Sequence, residues 1–538
     1  MHKKFYISTS IPYVNAAPHI GFAMELLQAD CLARYYRLMG YDVFFQSGTD
    51  DNAQKNAQMA EKEGLPTKEF VDKHAQEFAQ LRETLNISYN HFFQTSQPAH
   101  FQGAQTLWNS FKSDDIYKKS YTGLYCIGCE QFYKPEDLLE GQVCPTHKKP
   151  VEFVEEENYF FKLSNYTQIL KDKITSGEIH IFPDKRKNET LGWLHEGLED
   201  FSISRPTKRV KNWGVPVPND PEQTMYVWVD ALSNYITGLG YGTNNDELFQ
   251  KYWPADIHLI GKDINRFHTI YWPAMLLSAN LPLPKSVMIH DFITSEGEKM
   301  SKSLGNVVYP EEVVQKYGQD PVRYYLLREI PTFSDGDFSH HRMQEIYSAD
   351  LANNLGNLIS RVASMLQKYN QGKVPPTPQP SFAMQFISSE SLPSNAPLTL
   401  ETAFGKIAQL VVESDPGNST YDTLFANRQL SDALAHLWEK VDFANQFINI
   451  VSPWKLAKES QTATLQESLY WLSQLIHIIA WELYPFLPQT AEKIAQVFNI
   501  PHLHTVNRNR YHSVHEWAPE AAISTSEPLF PRAQSNEL

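Results

Sequence analysis

The chain has 538 residues, enough for several cores, and its 42% apolar and 20% charged residues are an ordinary globular balance. Its formal net charge of −15 speaks against a general polyanion binder but leaves room for a local basic surface. No apolar run approaches the roughly 18 residues of a membrane span, and the basic start Met1-His2-Lys3-Lys4 is not followed by a segment of signal-peptide type. The four cysteines are therefore expected to be reduced thiols or metal ligands in a cytoplasm.

In chain order, Phe5-Tyr6-Ile7 predicts a short buried strand, and the stretch from Ser8 to Gly21, broken by Pro12 and Pro18, a loop. Phe22, Leu26, Ala29, Ala33 and Tyr36 step by fours and threes, which predicts a helix closed by Gly40. Tyr41 to Phe45 predicts a second strand; strand, helix and strand make a βαβ unit, so the fold class is α/β. In such a unit the loop after the first strand meets a helix N-terminus, where unpaired N–H groups favour anions. His19 and Gly21 stand there. The histidine is either a phosphate donor or a satisfied ring at a helix start, and the glycine lets a ligand approach the backbone. Residues 54–112 alternate helical patterns with polar turns.

Cys126-Ile127-Gly128-Cys129 and Cys144-Pro145-Thr146-His147 form two ligand pairs, each with two residues between, fitting a structural tetrahedral zinc knuckle. Buried thiols or a disulfide are the alternatives. Met225 to Tyr235 predicts a strand followed by a helix, and His258 to Asp263 a strand entering a turn. His268 and Trp272, four apart, predict one shared helix face. Val287 to Thr294 predicts one strand, followed by the turn Ser295-Glu296-Gly297-Glu298 and the loop Lys299-Met300-Ser301-Lys302-Ser303. Taken alone, that lysine pair is a solvated face; with a partner elsewhere it places two ammonium groups on a polyanion. From Ala349 the chain is predicted helical: Leu351, Leu355, Leu358 and Val362, the set from Leu430 to Ile448, and the set from Leu469 to Leu483 mark amphipathic helices of a bundle. A Pro- and Ser-rich connection, Val374 to Pro397, follows the first of them.

His19-Ile20-Gly21-Phe22 together with Lys299-Met300-Ser301-Lys302-Ser303 resembles the two signature motifs of class I aminoacyl-tRNA synthetases; Phe22 replaces the family's second His. Ile11-Pro12-Tyr13-Val14-Asn15 and Gly48-Thr49-Asp50-Asp51-Asn52-Ala53 narrow the resemblance to the methionyl-tRNA synthetase family, with Asn52-Ala53 in place of its His-Gly. The resemblance implies catalysis by His19, Lys299 and Lys302. It further implies ATP contacts from Gly21, Arg205, Gly261, Asp263 and Ser301. Ile11, Tyr13, Asp50, Trp228, Ala231, Tyr235, His268 and Trp272 would bind methionine, Asp50 through the ammonium group. Asn357, Arg361 and Trp454 would read the anticodon, since unstacked bases take hydrogen bonds from Asn and Arg and stack on a ring. Cys126, Cys129, Cys144 and His147 would hold zinc. The implied architecture is a Rossmann-type catalytic domain (1–115 and 216–298) interrupted by a connective insertion with a zinc knuckle (116–215). The lysine loop and stem-contact segment (299–350) and an α-helical anticodon-binding domain (351–538) would follow. The implied substrates are ATP with Mg²⁺, L-methionine and methionine tRNA, handled by a cytoplasmic monomer with no membrane partner.

Overall fold

The computed structural model describes residues 3–127, 131–146, 148–300, 305–379, 381, 383, 399–414, 419–500, 503, 521–524 and 527–531. The chain forms two compact units, one of Lys4–Ala29 with Val43–His290, the other built mainly of Asp30–Asp42 and the chain from Asp291 onward.

The first unit begins with β1 (Lys4–Thr9), α1 (Ile20–Leu38, which continues into the second unit) and β2 (Asp42–Thr49), the predicted βαβ pattern. Next come α2 (Gln54–Glu63), α3 (Thr67–Leu85), β3 (His91–Gln94) and α4 (Pro98–Ser110). The strand β3 was not predicted: four residues are too few to show a period. An antiparallel sheet follows, from β4 (Ile116–Cys126), β5 (Gln131–Tyr133) and β6 (Glu152–Phe161). The chain continues through α5 (Thr167–Thr175), β7 (His180–Phe182), α6 (Asp184–Glu196), β8 (Phe201–Ser202), β9 (Ser204–Pro206), β10 (Pro216–Val217) and β11 (Asp220–Met225). It closes with α7 (Val227–Thr237), α8 (Glu247–Tyr252), β12 (Ile257–Gly261), α9 (Trp272–Ser278) and β13 (Ser286–His290).

The central sheet has six strands in the order β3-β2-β1-β12-β13-β7. Pairing is parallel from β1 to β12, β12 to β13, β13 to β7 and β2 to β3. β1 is buried from Phe5 to Thr9 because both sheet faces are covered, the polar Ser8 and Thr9 included. The chain runs outward from β1 through β2 to β3, places β7 at the opposite edge, and then returns beside β1 with β12, with β13 filling the place between β12 and β7. In an open α/β sheet such a reversal opens a crevice beyond the carboxyl ends of the two central strands.

The second unit holds β14 (Ile293–Ser295), α10 (Pro310–Tyr317), α11 (Gln319–Arg328), β15 (Gly336–Phe338) and α12 (His340–Ile346). Its bundle helices are α13 (Asn357–Tyr369), α14 (Leu400–Val412), α15 (Thr420–Ala426), α16 (Leu430–Val451), α17 (Pro453–Lys458), α18 (Thr462–Leu483) and α19 (Pro488–Phe498). The predicted strand Val287 to Thr294 is two elements, β13 and β14, and β14 pairs with β15 instead. Its break falls at Asp291-Phe292, where the Phe292 N–H donates to Asp335 Oδ1 at 2.9 Å. The helix predicted from Ala349 starts as the wide-turned stretch Tyr347–Gly356 and tightens into α13; Leu351, Leu355, Leu358 and Val362 are all fully buried, as their spacing required. Within this unit Arg323, fully buried, donates to Asp30 Oδ2 (2.8 Å) and to the carbonyls of Phe486 (2.7 Å) and Pro485 (3.1 Å).

Candidate active site and RNA-reading face

His19 is the residue before α1. Its carbonyl accepts from the Phe22 and Ala23 N–H groups at 3.1 and 3.2 Å, and its ring Nδ1 accepts from the Gly21 N–H at 3.1 Å. A backbone N–H only donates, so the neutral ring carries its proton on Nε2, leaving that atom as donor at the helix terminus. The ring is open to solvent, yet surrounding protein lowers its pKa by desolvation, the behaviour of a group on a cleft wall. Phe22 turns away into the core: it is 8% exposed and meets Phe78 of α3 edge-on at 5.5 Å.

The loop after β1 is tied to the end of β2. Asp50 donates its N–H to the Pro12 carbonyl at 2.9 Å, and Tyr13 bridges Asp50 in parallel pairing. Asp50 is buried, and its Oδ1 accepts from the Asn52 N–H at 3.3 Å. Asn52 donates through Nδ2 to the Thr95 carbonyl at 2.9 Å, and Ala53 is sealed in the core. The two departures from the family segment thus serve packing at the foot of α2. Beside them the buried Asp51 accepts from Thr49, Ser96 and Gln94 side chains at 2.8, 2.6 and 3.0 Å.

Gly261 closes β12 next to His290 of β13. A Cβ on Gly261 would stand 3.0 Å from Asp263 Oδ1 and 3.6 Å from His290 Cε1, so a side chain there would press on the Asp263 carboxylate. Here the structure holds a network that the motifs did not indicate: His290 Nε2 pairs with Glu25 Oε2 at 2.8 Å, while Glu25 Oε1 accepts from the Ser10 N–H and hydroxyl at 2.8 and 2.6 Å. Glu25 lies three residues after Phe22 and four before Ala29, on the buried stripe of α1; an acid on an apolar stripe was the available signal. Arg205 is a buried cation, stacked over Tyr226 at 4.4 Å and Tyr125 at 5.3 Å, with Nη1 donating to Ser202 Oγ and the Ser204 carbonyl.

The aromatic residues converge. Tyr235 and Trp272 belong to one core cluster, against which Tyr13, Trp228 and Phe267 pack partly buried. Ile11 is likewise half-buried on its loop, and Ala231 is buried one turn before Tyr235. Trp228 stacks flat on Phe267 at 3.8 Å and 7°. His268 does not lie on a regular α-helix as predicted: Phe267–Tyr271 is a π turn, a widening that recurs at functional sites, and α9 starts only at Trp272. The His268 Nδ1 is 2.9 Å from the Ile264 carbonyl and Nε2 is 2.7 Å from the Tyr235 hydroxyl. A carbonyl only accepts, so the proton is on Nδ1 and the tyrosine donates to Nε2. Desolvation holds this ring at about 4, hence neutral near pH 7.

In the second unit Lys299 is exposed just after the turn closed by Ser295 and Glu298 N–H···O bonds of 2.9 and 3.1 Å, and its carbonyl accepts from Asn306 Nδ2 at 3.2 Å. Ser301 and Lys302 lie outside the described residues. On the bundle, Arg361 donates to Asn445 Oδ1 (3.4 Å) and Asn449 Oδ1 (2.9 Å), while Asn445 donates to Asn354 Oδ1 (2.8 Å). Asn357 is exposed on α13, and Trp454, at the start of α17, is 46% exposed. An exposed indole can stack an unpaired base, and side-chain amides and a guanidinium can hydrogen-bond one.

The model of the tRNA synthetases class I (M) family matches residues 5–151 and 129–363. The methionine–tRNA ligase of Thermotoga maritima is 40% identical, over 99% of this chain and 81% of its own. That of Brucella suis is 40% identical over 98% of both. The chain belongs to the class I methionyl-tRNA synthetase family. Among solved structures, Mycobacterium tuberculosis methionyl-tRNA synthetase in complex with methionyl-adenylate superposes with a TM-score of 0.88 at 37% identity, covering 98% of this chain and all of that one. The parallel sheet and the helical region that follows are therefore those of the family.

Of the four expected metal ligands, Cys129 and His147 lie outside the described residues. Cys126 and Cys144 are both buried. The β4–β5 hairpin closes with Cys126 opposite Gln131; in the other turn Cys144 donates its N–H to the Lys149 carbonyl and accepts from the Lys148 N–H, each at 2.9 Å. Two buried cysteine thiols belong to the donor types a zinc knuckle takes.

Proposed function

We infer that the protein ligates L-methionine to methionine tRNA with ATP, through methionyl-adenylate. A methionine carboxylate oxygen bonds to the α-phosphorus of ATP, the bond to the bridging oxygen breaks, and pyrophosphate leaves; the acyl group then passes to the terminal ribose of the tRNA, releasing AMP. This chemistry depends on positioning and charge stabilisation rather than on a protein nucleophile. The observation that carries the reading is that the loop bearing His19 follows β1, while Gly261 ends β12 and the turn bearing Asp263 follows it, β1 and β12 being the strands that flank the topological switch point.

In this reading His19 Nε2 and the α1 terminus hold phosphate oxygens. Lys299, Ser301 and Lys302 of the lysine loop are assigned to the phosphates from their match to the family motif. Gly21, Gly261 and Asp263 receive the nucleotide. Arg205, stacked on Tyr226, adds positive potential to the nucleotide side. Asp50 takes the substrate ammonium, and Ile11, Tyr13, Trp228, Ala231, Tyr235, His268 and Trp272 enclose the thioether, which aromatic edges favour. Asn357, Arg361 and Trp454 read the anticodon. Cys126, Cys129, Cys144 and His147 would hold a structural zinc, cross-linking the two turns of the insertion at 116–215. Mg²⁺ accompanies ATP. No described helix is long and apolar enough to cross a membrane; tRNA and ATP put the reaction in the cytoplasm, and one chain supplies every residue named, so a monomer suffices.

ATP–pyrophosphate exchange over a panel of amino acids tests the reading. Methionine should dominate; activation of valine, leucine, isoleucine or cysteine above methionine makes the chain another class I synthetase. Binding of methionine tRNA without any charging makes it a synthetase-derived RNA-binding protein.

A further inference from the structure

A second histidine lies beneath the aromatic pocket, and none of the motifs points to it. His258 of β12 is directly opposite Ser8 of β1 in the parallel register, and both are fully buried. Its Nδ1 is 2.7 Å from Ser8 Oγ, its Nε2 is 3.3 Å from Trp272 Nε1, and the Tyr235 ring lies over it with centroids 4.1 Å apart at 32°. An indole N–H only donates, so Nε2 accepts and the ring proton sits on Nδ1, donated to Ser8. Protonating the second nitrogen would turn donor against donor, and burial pushes the ring well below its ordinary pKa, which keeps the acceptor in place. The tautomer is thus fixed by the indole, and the serine hydroxyl, which can donate or accept, takes the proton offered on Nδ1.

We propose that His258 is a positioning residue for methionine specificity: its Nε2 fixes the rotamer of Trp272, and its ring face fixes Tyr235, which in turn orients His268. The fixed sequence is Trp272 to His258 to Ser8 on one side and Tyr235 to His268 to the Ile264 carbonyl on the other, with the Tyr235 ring stacked on His258 as the joint. Buried polar groups whose donors and acceptors are all assigned hold one arrangement, whereas a missing partner leaves a donor without water to replace it. A pocket wall held this rigidly discriminates by shape among side chains of similar polarity. The inference rests on the reading of Trp228, Tyr235, His268 and Trp272 as the methionine pocket.

The test compares three substitutions in ATP–pyrophosphate exchange, with methionine and with its S-ethyl homologue as substrates. In His258→Gln the amide oxygen reaches the place of Nε2 and still accepts from Trp272. In His258→Asn the amide reaches only as far as Nδ1, and His258→Phe keeps the ring without an acceptor. The expected result is that Asn and Phe raise the methionine KM about 5- to 100-fold, the effect of one buried donor left unpaired, while Gln stays within about threefold. The ATP KM should be unchanged in all three, and the preference for methionine over the ethyl homologue should fall with Asn and Phe only. Equal effects of all three, or a loss of melting temperature with unchanged substrate preference, overturn the proposal. If these variants fail to fold, Ser8→Ala removes the Nδ1 partner at little loss of volume; an unchanged methionine KM there overturns it too. Trp228→Ala, run alongside, separates the two readings. Should it also leave the methionine KM unchanged, the pocket assignment falls; should it raise the KM while His258→Asn does not, only the role of His258 falls.

Discussion

Tyr235→Phe isolates one hydroxyl. In the wild type that hydroxyl donates to His268 Nε2 at 2.7 Å, between side chains each about 1% exposed. Removing it leaves Nε2 an acceptor that water cannot reach. The ring cannot turn to find another partner, because Nδ1 is anchored to the Ile264 carbonyl at 2.9 Å. An unpaired buried acceptor costs about 1–3 kcal/mol. If about 2 kcal/mol of that is felt when methionine closes the pocket, the methionine KM rises about 30-fold. The ring and its stack on His258 remain, so shape is kept. ATP–pyrophosphate exchange at saturating ATP, with methionine varied, reads the effect, and a melting curve reads how much appears as stability instead. A methionine KM within twofold of wild type, with an unchanged melting temperature, would refute the claim that this hydrogen bond is made. A parallel rise in the ATP KM would refute its confinement to the amino-acid side.

Three further outcomes are expected. His268 titrates at about 4 when folded and near 6.5 when unfolded, so between those values the unfolded chain binds the extra proton. Stability therefore falls as pH drops through this window, by about 3 kcal/mol in total, and His268→Gln removes that part. Denaturant titrations at several pH values check it, and an unchanged acid limb in the variant refutes it. Phe22→His places an imidazole against Phe78, losing an aromatic contact of about 1 kcal/mol without reaching the nucleotide; melting temperature should fall and exchange rate should not rise. Faster adenylate formation at unchanged stability would show that the ring faces the site. Trp454→Ala removes a 46% exposed indole and should raise the tRNA KM about 5- to 150-fold, the worth of one stacked base, with methionine-dependent exchange unaffected. Equal losses in charging and exchange would mean a folding defect instead.

What the sequence made legible is what depends on local period. Phe22, Leu26, Ala29 and Ala33 step along α1 and all four are buried; the set from Leu351 to Val362 behaves alike. The alternation of strand, helix and strand was enough to imply a parallel sheet. What escaped depends on contacts between distant segments. β3 is recognisable only by its pairing with β2. The break between β13 and β14 is invisible in an apolar run, because hydrophobicity does not say which sheet a residue joins. His290 meets Glu25 across 265 residues, and Ser8 meets His258 across 250. The π turn at Phe267–Tyr271 has no compositional sign, yet it sets the backbone offset between His268 and Trp272.

These misses fall where the chemistry is most exacting, and the reason is physical. A thioether offers sulfur as a weak acceptor and nothing else, so a site built for it gains little from open polar groups and loses much by leaving them unpaired. In the proposed methionine pocket the polar atoms are paired with one another: Tyr235 with His268, His268 with the Ile264 carbonyl, Trp272 with His258, His258 with Ser8. Of the indole, imidazole and phenol atoms in this set and its neighbour Trp228, the Trp228 Nε1 is the buried one left without a protein partner. Burial keeps both histidines neutral, and neutrality fixes which nitrogen donates, so each link runs in one direction only. Among the indole, imidazole and phenol atoms named, a serine or glutamine side chain entering the proposed pocket would find only that indole N–H to replace the water it gave up. On that assignment, rejection of polar amino acids follows from the internal pairing, and discrimination among apolar ones from the rotamers that the pairing holds.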